Sequence, residues 1–167
     1  MAHTTQGTAW LLHEEHMSVL ALLERCEGVL AAHGKRPPDT ADASMTRFLG
    51  DLATAIDGEI SDHFAFEEEQ LFTRLNAGGY AGMTDILMAE HEIILPMGRR
   101  VSEIARAARR NGFTSDGWTG FRQLLGEFIQ RLSSHIQKEE MGMLPALDDI
   151  LDQDTDGELA IGYADRR

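Results

Sequence analysis

Apolar residues recur at spacings of three and four along most of the chain, and the polar residues that interrupt them inside the seams are few and chemically alike. From about Thr8 to His33 the seam Leu12, His16, Val19, Leu23, Cys26 and Leu30 lies on one helix face, and Gly34 supplies a C-cap. The break GKRPPDTAD follows. From about Ala43 to Asn76, Leu49, Leu52, Ile56, His63, Glu67 and Leu71 share a face until AGGYAG ends the helix. A third helix, about Thr84 to Arg110, turns Leu87, His91, Ile94, Val101 and Ala105 inward. Pro96 lies inside it and predicts a kink, with loss of the hydrogen bond to the Glu92 carbonyl. After NGFTSDG a fourth helix, about Asp116 to Leu151, aligns Phe121, Leu125, Phe128, Leu132, His135 and Glu139. No segment sustains the period-2 alternation of a strand. The pattern predicts an all-α fold: an antiparallel up-down-up-down four-helix bundle over residues 1–151. Residues 152–167, DQDTDGELAIGYADRR, read as a short acidic C-terminal tail with a few apolar anchors.

Composition narrows the function. The 167 residues suit one domain with a real core. Fifteen Lys+Arg against 28 Asp+Glu leave a net charge of −13, which argues against nucleic acid and against an anionic membrane surface. No apolar run approaches the ~20 residues that span a bilayer, and no basic n-region precedes an apolar core at the N-terminus. The single cysteine, Cys26, cannot form an internal disulfide and fits a reducing cytoplasm. It also removes thiolate metal sites, so any metal must be held by nitrogen and oxygen, a ligand set suited to iron, manganese or zinc.

The chemistry sits in the seams. Each predicted helix carries one inward histidine: His16, His63, His91 and His135. On two of them a glutamate follows four residues later, on the same face: His63-x-x-x-Glu67 and His135-x-x-x-Glu139. One buried histidine is ordinarily a hydrogen-bonded core residue, but four on matching seams, with two carboxylates, require a partner for buried charge. The halves of the chain also align. Glu15-His16 matches Glu90-His91, and His63…Glu67-Glu68 matches His135…Glu139-Glu140, with separations from histidine to HxxxE of 47 and 44 residues. A pseudo-two-fold bundle would gather both sets about one centre, an arrangement that suits two metals bridged by two carboxylates.

These motifs are EEH at Glu14–His16, HFAFEEEQLF at His63–Phe72, EHEIIL at Glu90–Leu95 and HIQKEEMGMLP at His135–Pro145. In combination they resemble the hemerythrin-like (HHE cation-binding) family over roughly residues 10–148. The resemblance implies two iron ions in a non-haem di-iron centre with an oxo or hydroxo bridge. Its ligands would be His16, His63, Glu67, His91, His135 and Glu139, with Glu67 and Glu139 as bridges. Oxygen-carrying members have a further histidine four residues from the first on the third helix; here Leu95 and Leu87 flank His91 at those distances. With both irons then one ligand short, the expected function is binding of, or reaction with, a small diatomic or peroxide ligand. Hydrogen peroxide decomposition or a related redox defence leads, ahead of dioxygen or nitric oxide chemistry. The alternatives are an iron- or oxygen-responsive sensor or binding module, or a reversible oxygen carrier without catalysis. Leu87, Ile94 and Leu95 are expected to wall the ligand pocket. The ferritin-type Glu-x-x-His spacing fails, since His13, Ile60, Met88 and Leu132 occupy the required positions. The sequence leaves the oligomeric state open, with a monomer plausible.

Other polar residues are set aside. His13 sits toward the flank of its seam, and Glu59 lacks a repeat counterpart. Glu68 and Glu140 point about 100° around the helix from the neighbouring glutamates, toward outer hydrogen bonds or solvent. His3 and His33 read as surface, Cys26 and Trp118 as packing, and Met83, Met88, Met97, Met141 and Met143 as core filler.

Overall fold

The computed structural model describes residues 7–166, and among these every regular element is a helix. Helix α1 is Thr8–His33, α2 runs over 43–77, α3 is Ala81–Asn111, α4 runs over 115–150 and α5 is Gln153–Ala164. There are thus five helices where the pattern predicts four. His3 lies outside the described residues.

The ends follow local chemistry. Gly34, at φ 53°, turns its N–H onto the Leu30 carbonyl at 3.0 Å and stops α1. The Asp42 side chain accepts the Ser44 N–H at the start of α2, and Thr114 accepts the Gly117 N–H at the start of α4. Helix α3 is continuous through Pro96.

Two helices contain wider π-type turns, at 56–60 and 67–71 in α2 and at 139–143 in α4. Each inserts a residue into the 3.6-residue repeat and rotates the inward face. After Glu67 the buried side chains are Leu71, Phe72 and Leu75; after Glu139 they are Met143, Leu144 and Leu147.

Contacts along each helix pair set their direction. Between α2 and α3, Arg109 lies over Gly50, Ile56 lies near Gly98, Phe64 stacks on His91, and Thr84 donates to Asn76. Between α1 and α4, the Trp118 indole donates to the Gly34 carbonyl at one end, and His13 meets Glu140 toward the other. Residue numbers rise along one helix of each pair as they fall along its neighbour.

The core is in two apolar clusters. One holds Val19, Ile60, Ile94 and Ile136 with the Trp118, Phe121 and Phe128 side chains; the other holds Leu12, Phe66, Leu87 and Met143. On every one of the four long helices the inward histidines, and the glutamates that follow two of them, fall between a member of one cluster and a member of the other. A polar layer is therefore sealed between two greasy ones.

The segment read as an acidic tail is α5. Asp152 caps it through the Thr155 N–H, and Asp156 accepts the first N–H of α1, from Thr8, at 2.8 Å. Ala160 and Tyr163 are buried. The helix has no strong apolar stripe, so its few anchors, rather than an amphipathic pattern, seat it. His33 is half-buried, edge-on to Trp118, and Met141 is exposed and does not fill the core as expected. No described helix is long and apolar enough to cross a membrane.

Candidate metal centre

The structure brings all six inward residues into one layer. His16, His63, Glu67 and Glu139 can offer ligand atoms lying within 4.8 Å of one another, and so can His91, His135, Glu67 and Glu139. The two carboxylates are common to both groups. Glu67 presents Oε1 to His63 Nε2 at 2.8 Å and Oε2 to His91 Nε2 at 3.2 Å. Glu139 presents Oε2 to His16 Nε2 at 2.8 Å and Oε1 to His135 Nε2 at 2.7 Å. Within each imidazole pair the Nε2 atoms approach to 3.2 Å and 3.0 Å.

All six side chains are buried, Glu67 and Glu139 completely. Their four carboxylate oxygens make no hydrogen bond of acceptable geometry, although imidazole nitrogens lie close by. Buried carboxylate oxygens without donors are costly. Oxygens and Nε2 atoms converging on two shared points are what a pair of cations would satisfy, so the residues present fit two metal ions. Neutral imidazole and carboxylate suit iron among the transition metals, while the absence of thiolate leaves manganese and zinc chemically compatible.

The outer nitrogens are all engaged. His16 Nδ1 meets Glu140 Oε1 at 2.6 Å, His63 Nδ1 meets Glu15 Oε2 at 2.6 Å, His91 Nδ1 meets Glu68 Oε1 at 2.8 Å, and His135 Nδ1 meets Glu90 Oε2 at 2.7 Å. With a carboxylate oxygen at each Nδ1, that nitrogen is the one that donates, and Nε2 faces the centre. Burial raises the Glu140 and Glu90 carboxyls, but His16 with His13, and Lys138 with His135, outweigh it and hold both below their ordinary value.

Among the residues set aside, Glu68 and Glu140 make the outer hydrogen bonds. His13, its side chain 43% exposed, reaches only Glu140 Oε2, at 2.9 Å. Glu59 joins neither group. Sequence reasoning missed the roles of Glu15 and Glu90, although both were visible as the repeated Glu-His dipeptide. It also missed Tyr163, whose hydroxyl donates to Glu15 and for which no pattern gave a signal.

The space beside the centre is asymmetric. A cavity of about 10 Å³, room for about one water-sized molecule, lies against His16, His63 and Glu139. Its apolar walls are Val19, Ile60, Phe64, Leu132 and Ile136. The expected walls, Leu87, Ile94 and Leu95, do not line it. On the other side Phe64 stacks flat on His91, ring centroids 3.7 Å apart, and Phe72 stands 5.4 Å away, filling that flank.

Compared with known families, the chain matches the model described as the hemerythrin HHE cation binding domain over residues 8–147. No curated protein and no solved structure matches it significantly.

Proposed function

The chain belongs to the hemerythrin HHE cation-binding family, and from that premise we propose that it holds two iron ions and binds or reacts with a small oxidant. Hydrogen peroxide is the favoured ligand, ahead of dioxygen and nitric oxide, and peroxide decomposition the favoured activity. The carrying observation is the sharing of Glu67 and Glu139, each with one oxygen toward each imidazole pair and neither oxygen hydrogen-bonded. When bound, the metals would supply Lewis acidity and two-electron redox capacity. Four helices, α1 to α4, are read as an up-down-up-down bundle built around this pair, with α5 added to it. A single buried cysteine supports a reducing, cytoplasmic setting.

The protein's own part is positioning and exclusion. Outer carboxylates lock four imidazoles with Nε2 inward, and His16, His63, His91, His135, Glu67 and Glu139 would be the ligands. Phe64 covers the His91 flank. The cavity beside His16 and His63 admits small uncharged molecules in preference to ions, because its walls offer no counter-charge apart from the centre itself. In decomposition one peroxide is reduced to two waters and a second is oxidised to dioxygen, so two electrons and two protons pass between them and nothing is consumed besides peroxide.

The test is iron content, then turnover. Freshly purified protein is expected to carry two irons per chain, and the oxidised form to evolve one dioxygen per two peroxides added. Absent turnover together with oxygen uptake that reverses under vacuum would decide for a carrier instead.

A further inference from the structure

The internal repeat pairs Glu15 with Glu90, and both hold the Nδ1 of a centre histidine, His63 and His135 respectively. Their second partners differ. Glu90 stands at the rim, its side chain 21% exposed, and takes the Lys138 ammonium from α4. Glu15 is buried, and the Tyr163 hydroxyl donates to both of its oxygens, at 2.8 and 2.6 Å. Tyr163 comes from α5, which has no counterpart in the repeat. The residue is 4% exposed, and its ring stacks on Phe66, centroids 4.1 Å apart. Asp156, one turn into the same helix, holds the first N–H of α1, the helix that carries Glu15. Helix α5 is thus fastened at both ends of the distance that places the phenol.

A carboxylate on Nδ1 raises the basicity of the imidazole and fixes its ring, and any donor to that carboxylate moderates the effect. We infer that Tyr163 is a positioning residue of the metal centre, which through Glu15 orients His63 and sets its strength as a ligand. Tyr163 acts through Glu15 at the His16–His63 position, beside the cavity, whereas Lys138 acts through Glu90 at the His91–His135 position. This rests on reading the six inward residues as a metal centre.

Tyr163→Phe keeps the ring and its stack on Phe66 and removes only the hydroxyl. In the metal-free variant, imidazole nitrogen–proton correlation spectra are expected to show the His63 Nδ1–H resonance shifted and its proton exchanging faster, with His135 unchanged. Stepwise cobalt(II) titration is expected to show one of two binding steps weakened about tenfold, the low end for an outer hydrogen bond, and the other retained. Leu159→Ala serves as control, since it loosens the packing of α5 and leaves the Tyr163 hydroxyl in place. An unchanged His63 resonance in Tyr163→Phe would overturn the inference, as would an equal change at His135 or an equal effect from Leu159→Ala. Failure of the wild type to take up cobalt would count against the metal centre itself, while the metal-free spectra would still decide the role of Tyr163.

Discussion

Glu67 and Glu139 stand in the same relation to the four imidazoles: each turns one oxygen to a histidine on its own helix, His63 or His135, and the other to a histidine of the opposite pair. Each is also the first residue of a π-type turn, with its carbonyl taken by the N–H five residues on, from Phe72 and Leu144. The repeat seen in side chains therefore extends to the backbone. Such turns tend to occur at functional sites, where an extra residue re-aims a side chain.

Replacing Glu67 or Glu139 with alanine is expected to remove at least one metal. Because metal binding contributes to folding, the metal-loaded variants should melt below the wild type. Metal analysis and calorimetry on the same preparations check this. Two metals retained in both variants would exclude bridging.

His13→Ala is expected to keep both metals, and His16→Ala to lose at least one. The two residues share Glu140, but only His16 sends a second nitrogen to the centre. Metal stoichiometry separates them, and the opposite result would move the centre one turn along α1.

The metal-free protein should respond to pH in both directions. Burial lowers the His63 pKa, but Glu67 and Glu139 outweigh it and lift it to about 10. His91 rises to about 9 against the same burial, through Glu139 and Glu67. Both exceed the ordinary 6.5, so their stabilisation is complete below about pH 6.5 and lost as pH climbs through 9 to 10. Glu139 is opposite: burial raises it, but His135 and His16 bring it well below 4.5, so its contribution is present above about pH 4.5 and lost in acid. Melting of the metal-free chain should be highest between these limits. Metal needs neutral imidazole, so uptake at pH 7 should release protons and tighten as pH rises. An indicator-dye titration with zinc reads the release, and its absence would contradict the protonated imidazoles.

Two glycines should behave oppositely. A Cβ at Gly98 would stand 3.1 Å from Phe128 and 3.2 Å from Ile56, both fully packed, so Gly98→Ala should destabilise by about 1 kcal/mol despite its better helix propensity. At Gly126 nothing lies within 4 Å, and Gly126→Ala should stabilise by ~0.5–1 kcal/mol. Denaturant midpoints check both. Equal effects would mean that α3 can shift away from its neighbours.

By itself the sequence determined the four long helices and the six inward histidines and glutamates. Spacings of three and four place Leu12, His16, Val19 and Leu23 on one face wherever α1 ends up, and Gly34 ends it through a local hydrogen bond. The HxxxE pairs and the repeated Glu-His dipeptide were equally legible, because i and i+4 neighbours share a helix face without help from tertiary structure. What the fold alone decided lies between helices. Which oxygen of Glu67 meets which histidine, that Glu68 holds His91 and Glu140 holds His16, and that the cavity opens beside His63 while Phe64 closes over His91, all depend on contacts 23 to 124 residues apart. The wide turns after Glu67 and Glu139 are backbone choices made by core packing, with no residue type to announce them. Helix α5 was hidden for the same reason. Its sequence has no apolar stripe, and the approach of Glu15 and Phe66, 148 and 97 residues away, gives Tyr163 a buried place to bind.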